Sequence, residues 1–340
     1  MMNTETLLKN TSRSLYLSVQ ALPRAVRPTF SIAYLLCRYA DTVADTHLLP
    51  AGMRLAWIEQ FPTLVEQQPQ AQLLRLTREI SGQSENPHEA ELIKNLPMCV
   101  EEFNRLSRQN QELTLQVVRA VCEGMRIDLT TFPTQQISQP KAFERAEDLE
   151  HYCRMMGGKP GLFWSQLIAQ TTSLKVPQAD FFAWGQQIGD ALQIVNILRD
   201  LPKDLQLGRC YFPLSDLQRE DLTPADLLRP ENSKRFEPIK QKWISWGLAR
   251  LKKADAYFRQ IPKTQPGQRA AVAWPVLWTA DTLFLLAKEP CLLDCKKRVK
   301  IPRSTIYFTL LCTPALWLSN TLFSNWLNRK IKCFEQIINN

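Results

Sequence analysis

The stretch that decides the fold reads Gln193-Ile194-Val195-Asn196-Ile197-Leu198-Arg199-Asp200-Leu201-Pro202-Lys203-Asp204. Asn196, Asp200 and Asp204 recur every four residues, and most residues between them are aliphatic. Because four residues advance an α-helix by about 400°, these polar side chains form one stripe on an otherwise apolar helix. Carboxylates are costly to bury without a partner, so we expect the stripe to be either a metal site or an ion-pair network.

Two features of this stretch modify the prediction. Arg199 precedes Asp200 directly, so a cation lies beside the acids. Pro202 has no amide hydrogen, and its ring clashes with the carbonyl of Leu198. We therefore expect the helix to kink or end near Pro202, which would displace Asp204 from the stripe.

A second acidic pair, Asp41 and Asp45, follows the largely apolar run at residues 30–37. The two aspartates also lie four residues apart, and they repel each other unless a cation joins them. Mg²⁺ binds one or two carboxylates and completes its shell with water and substrate phosphate oxygens. Such a pair can also be a solvated helix face. Two acidic stripes, each beside an arginine, together favour a diphosphate site.

The rest of the sequence is typical of an all-α protein. The 340 residues are 45% hydrophobic, enough for a sizeable core, which excludes disorder and small disulfide scaffolds. Glycine is rare at 11 residues and proline is common at 22, so helix ends are plentiful and turns with positive φ are few. No stretch alternates long enough to predict a sheet.

Several kinds of site are disfavoured by composition. The three histidines have no metal-ligand spacing, so a metal would have to be held by carboxylates. Nine scattered cysteines without a secretory signal peptide predict buried thiols in a reducing cytoplasm. The net charge of +9 would suit nucleic acid, an anionic membrane or an anionic substrate, but no nucleic-acid recognition motif is present.

The C-terminal region is amphiphilic. Five of the eight residues from Lys296 to Arg303 are basic, residues 304–328 carry no charge, and Arg329 begins a second basic group. Prolines and polar residues dilute the apolar run. Three interpretations remain open, namely a helix in the membrane interface, a transmembrane span and a core helix. We predict a boundary between a catalytic domain at 1–295 and a basic, membrane-associating tail at 296–340.

The motifs together resemble the squalene and phytoene synthases, head-to-head prenyl transferases of the all-helical isoprenoid synthase fold. The matching segments are Ser12-Arg13-Ser14, Tyr34 to Asp45, Glu123 to Leu129, Tyr152 to Gly161, and Gln193 to Asp204 followed by Gly208 to Pro213. The resemblance covers roughly residues 10 to 290 and implies a single helical bundle with a central active-site cavity. Ala44 stands where many squalene synthases carry glutamate. The glycines at 157, 158 and 161 lack phosphate-loop spacing and predict close helix packing instead.

The resemblance also implies roles for individual residues. Asp41, Asp45, Asp200 and Asp204 would be catalytic and, with Asn196, would hold Mg²⁺. Arg13, Arg38 and Arg199 would bind diphosphate, and Gln193, Tyr34 and Tyr211 would contact substrate. Tyr152 would assist proton transfer or stabilise a cation. Each tyrosine could instead be an ordinary packing aromatic.

By the same resemblance, two farnesyl diphosphates would react through presqualene diphosphate to squalene, with NADPH as reductant. Two segments, Asp41-Thr42-Val43 and Arg298 to Arg303, resemble the corresponding segments of squalene synthases more than those of phytoene synthases. Phytoene, dehydrosqualene, hydroxysqualene and presqualene diphosphate remain alternative products. The expected location is the cytoplasmic face of a membrane, contacted through the C-terminal tail. If the protein is not an enzyme, the alternative is a non-catalytic helical scaffold tethered to a membrane. The oligomeric state stays open.

Overall fold

The computed structural model describes residues 4–12, 15–46, 49–68, 70–81, 87–133 and 139–338. Most of them are helical. The strands among the described residues are the two-residue β1 (Lys141–Ala142) and β2 (Arg209–Cys210), which pair in parallel. The predicted all-α class is confirmed. The chain divides into two compact units, residues 1–130 with 166–171, and residues 131–165 with 172–340.

The first unit is built around one apolar helix. Its helices are α1 (Thr4–Ser12), α2 (Leu15–Gln20), α3 (Arg27–Asp45), α4 (Ala51–Gln67), α5 (Gln70–Ser81), α6 (Pro87–Lys94), α7 (Leu96–Asn104) and α8 (Arg108–Thr131). Helix α3 packs against α1, α4, α6 and α7. It begins with Pro28 in its first turn, where the missing amide hydrogen costs nothing. Leu35, Leu36 and Tyr39 are buried, and Tyr39 stacks on Phe61 with ring centroids 5.1 Å apart.

The second unit is built around a long helix. Its helices are α9 (Ala146–Cys153), α10 (Lys159–Ala169, whose last residues belong to the first unit), α11 (Gln178–Gln206), α12 (Leu214–Arg219), α13 (Ser233–Leu251), α14 (Lys253–Gln260), α15 (Pro266–Lys288), α16 (Arg303–Leu311), α17 (Thr313–Leu318) and α18 (Asn320–Ile338). A π-helical turn at Arg154–Gly158 joins α9 to α10, and short 3₁₀ turns occupy Pro224–Leu228 and Pro230–Asn232. Helix α11 packs against α13, α14, α15 and the π-helical turn.

Helix α11 does not end at Pro202. The expectation that the proline could end it is wrong. The helix continues to Gln206 with Pro202 in its interior. Proline removes only one hydrogen bond of the helix, and Leu201, Pro202 and Leu205 are all buried against neighbouring elements. Apolar packing therefore holds the last turn in helical form, and Asp204 stays four residues along the same helix from Asp200.

The predicted close packing through glycines is confirmed. A Cβ atom added to Gly157 would lie 2.3 Å from the carbonyl oxygen of Gly189, and one added to Gly161 would lie 2.3 Å from that of Gly185. These distances are far below van der Waals contact. The π-helical turn and the start of α10 thus approach the backbone of α11 as closely as glycine permits.

The apolar C-terminal stretch forms three helices rather than one, with breaks near Cys312 and Ser319. Helix α18 packs on α15 and α14, and buries Phe323, Leu327 and Phe334. The helix in the described part of the chain that is long and apolar enough to cross a membrane is α15, and 72% of its apolar window is buried inside the protein. Such burial is typical of a core helix. The predicted boundary at 295/296, which concerns membrane association, stays a prediction.

Candidate active site

Asp41 and Asp45 lie in the last two turns of α3, in the first unit. The Asp41 carboxylate is one-third exposed and accepts a short hydrogen bond from the guanidinium of Arg38, one turn earlier. Asp45 is exposed at the end of the helix. The cation predicted beside this acidic pair is Arg38, which forms an ion pair with Asp41.

A buried arginine that the sequence did not identify holds the end of this helix. Arg54, on α4, is 8% exposed, and its Nη1 donates to the carbonyl oxygen of Ala44 at 2.8 Å. The last carbonyls of a helix have no partners within the helix, and a cation there also offsets the negative end of the helix dipole. Arg54 therefore fixes the backbone directly before Asp45. A buried arginine has no sequence signature that separates it from an exposed one.

The second acidic stripe lies on α11, in the second unit. Arg199 binds Asp200 with two hydrogen bonds, Nε to Oδ1 at 3.0 Å and Nη2 to Oδ2 at 2.5 Å. Asp200 is 31% exposed, Asp204 is half-buried and Asn196 is exposed. The aliphatic residues between these polar positions are buried on the other side of the helix. The polar stripe is therefore more exposed to solvent than the apolar sequence around it suggested.

Tyr152 and Tyr211, predicted separately, are brought together. Their rings stack with centroids 5.0 Å apart, and the two hydroxyl groups lie 3.5 Å apart. Both are buried, and the rings of Phe132 and Phe143 lie within 6 Å of Tyr211. The result is a dry aromatic cluster that contains two phenol groups.

The strand pair places Phe143 of this cluster beside Tyr211. Ala142 of β1 is opposite Cys210 of β2, so the residues that follow them, Phe143 and Tyr211, emerge side by side. Gly208 precedes β2 with φ of 73°, a left-handed conformation that glycine adopts without strain. That conformation turns the chain from the end of α11 into β2. The two phenylalanines had no sequence signal, because the pairing joins segments far apart in the chain.

The remaining residues predicted to bind substrate are Tyr34, Gln193 and Arg13. The Tyr34 hydroxyl donates to the carbonyl of Thr11 at 3.1 Å and so fastens α3 to α1. Gln193 is half-buried on α11, and its Cβ lies beside Gly157. Arg13 lies outside the described residues.

The cysteines described by the structure are free thiols. Burial raises the pKa of Cys37 to about 12, and the nearby Asp41 carboxylate adds to the effect. Burial likewise raises the pKa of Cys210 to about 12. Such thiols stay protonated and do not act as nucleophiles. The prediction of buried thiols is wrong for Cys295, which is exposed in the loop after α15.

The donor groups present suit Mg²⁺. Among the described residues, no group of three or more His, Cys, Asp or Glu side chains lies close enough together to hold a metal ion. Mg²⁺ does not require such a cage, because it is commonly bound through one or two carboxylates plus water and substrate phosphates. Each stripe offers carboxylate oxygens of that kind, and the chemistry of the donor set fits a hard divalent cation.

Comparison with known proteins identifies the family. The sequence profile described as squalene/phytoene synthase matches residues 8–305. The squalene synthase of Schizosaccharomyces pombe is 26% identical over 86% of this chain, although the chain spans only 61% of that relative's length. The 15-cis-phytoene synthase of Synechocystis is 25% identical over 90% of this chain and 81% of its own.

The fold agrees with this assignment. The solved complex of TcSQS with the ligand BPH1237 superimposes with a TM-score of 0.74 at 17% identity, and covers 99% of this chain and 97% of that one. The resemblance inferred from the motifs is confirmed, and it extends over nearly the whole chain. The chain belongs to the squalene/phytoene synthase family.

Proposed function

We propose that this protein joins two farnesyl diphosphates head to head, through presqualene diphosphate, to squalene. Head-to-head condensation of prenyl diphosphates is the reaction of the family, and the choice of substrate and product is the finer proposal. The observation that supports a diphosphate site for this reaction is the unbroken course of α11 through Pro202. Because the helix continues, Asn196, Asp200 and Asp204 remain one stripe, with Arg199 beside Asp200.

We propose that Asp41 and Asp45 hold Mg²⁺ in the first unit, and that Asn196, Asp200 and Asp204 form a Mg²⁺ ligand set in the second unit. Bound Mg²⁺ supplies Lewis-acid neutralisation of a departing diphosphate. Arg38 and Arg199 pair with acids of the same helix in the free protein. With those carboxylates engaged as metal ligands, both guanidinium groups would be available to hydrogen-bond the substrate diphosphate.

The aromatic cluster suits the organic part of the reaction. Loss of diphosphate from the first substrate leaves an allylic cation, which the double bond of the second attacks. A proton then leaves as the cyclopropane closes. The stacked rings of Tyr152 and Tyr211 present π-faces that stabilise a cation, and their burial excludes the water that would quench it. The paired hydroxyl groups offer an oxygen that can hold the departing proton.

NADPH is the proposed reductant for the squalene product, and it would supply a hydride. The segment from Arg298 to Pro302 is non-helical and its basic side chains are exposed, chemistry that suits the phosphates of a dinucleotide. Dehydrosqualene and phytoene are the alternatives without this reduction.

Product analysis tests the proposal. Purified protein is incubated with Mg²⁺ and farnesyl diphosphate, with and without NADPH, and the products are identified by gas chromatography and mass spectrometry after phosphatase treatment. We expect squalene only when NADPH is present, and presqualene alcohol without it. Formation of dehydrosqualene whether or not NADPH is present would contradict the proposed reduction by NADPH. Phytoene from geranylgeranyl diphosphate, with no turnover of farnesyl diphosphate, would contradict the substrate assignment.

We also propose that the protein works at the cytoplasmic face of a membrane, bound in the interface by its C-terminal helices. Their outward side is unusually apolar. Tyr307 is 66% exposed, Phe308 57%, Leu311 78% and Leu318 69%. Exposed basic residues stand at both flanks, including Arg303 and Arg329. Apolar side chains flanked by cations suit an anionic bilayer surface.

The inward side of these helices supports interfacial contact rather than a span. Arg269 of α15 donates to the Leu316 carbonyl and, at 2.7 Å, to Asn320 Oδ1. Trp274 Nε1 donates to the Thr313 hydroxyl at 2.9 Å. Helices held in this way belong to the folded unit, and removing them would uncover its core.

Vesicle binding tests the membrane proposal without truncation. We expect the double variant Phe308→Ser/Leu311→Ser to bind phosphatidylcholine vesicles containing phosphatidylserine at least about tenfold more weakly, because buried apolar groups drive interfacial binding. The matched control is Met53→Ser/Leu74→Ser, which alters side chains 44% and 45% exposed in the first unit. Equal binding of both variants, or no binding by the unaltered protein, would overturn the proposal.

A further inference from the structure

A buried aspartate outside the two acidic stripes lies where three helices meet. Asp190, on α11, is 1% exposed, and neither of its carboxylate oxygens accepts a hydrogen bond within the protein. Its Oδ2 lies 3.8 Å from Arg154 Nη2 in the π-helical turn and 3.7 Å from Arg250 Nε on α13. A buried charge is retained at a cost, which two flanking cations offset.

The surroundings fix the carboxylate in place. A Cβ atom on Gly158 would lie 2.2 Å from Asp190 Oδ1, so only glycine leaves room for the acid against the π-helical turn. Arg250 stacks on the Trp246 ring at 3.4 Å, and Trp246 Nε1 donates to Glu150 on α9 at 2.9 Å. Burial raises the pKa of Asp190 to about 6, although both arginines oppose this shift.

The π-helical turn determines where Tyr152 points. The amide of Lys159 donates to the carbonyl of Arg154, five residues earlier, so this turn holds one more residue than an α-helical turn. An extra residue rotates everything before it by about 100° relative to a continuous α-helix. Tyr152 stands two residues before Arg154, so its orientation depends on this turn.

We propose that Asp190 is a positioning residue that holds the π-helical turn through Arg154, and thereby keeps Tyr152 stacked on Tyr211. Asp190 lies one turn before Gln193 on the helix that carries Asn196 and Asp200. It thus fixes the tyrosine pair relative to that stripe. The catalytic consequence rests on the proposed function, whereas the structural consequence does not.

Fluorine NMR of protein labelled with 3-fluorotyrosine separates positioning from stability. The chain has seven tyrosines, and the resonances of Tyr152 and Tyr211 are assigned with Tyr→Phe variants. We expect Asp190→Asn to shift both resonances. Arg154→Met is expected to shift them as well, and it alters a side chain that is 44% exposed and therefore easier to replace.

The matched control is Asp281→Asn. Asp281 is also buried in the second unit, is paired with one cation, Lys330, and has one oxygen without a hydrogen bond. We expect this variant to lower the melting temperature without moving the Tyr152 and Tyr211 resonances.

Turnover gives the second readout. With farnesyl diphosphate and Mg²⁺, Asp190→Asn should lower kcat for diphosphate release about 10- to 100-fold. KM should change little, because a displaced Tyr152 loses its orientation towards the reacting atoms while the diphosphate-binding residues stay in place. Tyrosine resonances that stay in place in both Asp190→Asn and Arg154→Met would overturn the proposal. If the unaltered protein releases no diphosphate, the proposed function fails, and the resonances still decide the positioning role.

Discussion

Replacing Asp200 with asparagine is expected to lower the rate of diphosphate release from farnesyl diphosphate about 100- to 1,000-fold. The carboxylate is held by two hydrogen bonds from Arg199, at 3.0 and 2.5 Å, and it lies in the middle of the stripe on α11. Asparagine removes the negative charge and one of the two acceptor oxygens that the carboxylate offers, so this position binds Mg²⁺ more weakly. The rate is measured with a coupled assay for released diphosphate.

The matched control is Asp180→Asn on the same helix. Asp180 is exposed in the first turn of α11, about 30 Å from Asp200 along the helix axis. Its loss should cost only a few tenths of a kcal/mol through the helix dipole and leave turnover unchanged. A similar rate for Asp200→Asn and Asp180→Asn would show that the stripe does not bind the metal or the diphosphate.

Replacing Gly189 with alanine is expected to destabilise the protein by about 3 kcal/mol. The added Cβ would lie 2.1 Å from the carbonyl oxygen of Gly157 and 3.1 Å from the Cα of Gly158. Both contacts are with backbone, so relief requires α11 and the π-helical turn to move apart. Thermal and urea unfolding measure the loss.

Gly52→Ala serves as its control, because Gly52 lies in a helix with nothing within 4 Å of an added Cβ. There the helix propensity of alanine should leave stability unchanged or raise it by up to about 1 kcal/mol. Equal stability of the two variants would mean that the glycine contact is looser than described.

The sequence predicted the fold class because helical periodicity is local and repeats over the whole chain. The acidic stripes were predictable for the same reason, since the spacing of Asp41 and Asp45, or of Asn196 and Asp200, is a property of one helix. The prediction that the helix could end at Pro202 was wrong. It rested on the lost hydrogen bond and the ring clash, and it left out the burial of Leu201 and Leu205, which depends on tertiary contacts.

The parts of the site that sequence could not supply all depend on contacts between distant segments. The contact of Phe143 with Tyr211 follows from the pairing of β1 with β2, which are too short to give a strand signal. Arg54 acts on α3 from another helix. Asp190 did have a signal, because it is a lone acid beside Ile188 and Ala191, but its partners Arg154 and Arg250 could not be identified from spacing.

The most direct test of the account is whether one product contains two substrate molecules. Equal amounts of unlabelled and fully deuterated farnesyl diphosphate are supplied with Mg²⁺ and NADPH, and the hydrocarbon is analysed by mass spectrometry. Head-to-head condensation predicts unlabelled, mixed and fully labelled C30 products, with the mixed product most abundant. Products that are only unlabelled or only fully labelled, each containing a single farnesyl chain, would contradict it.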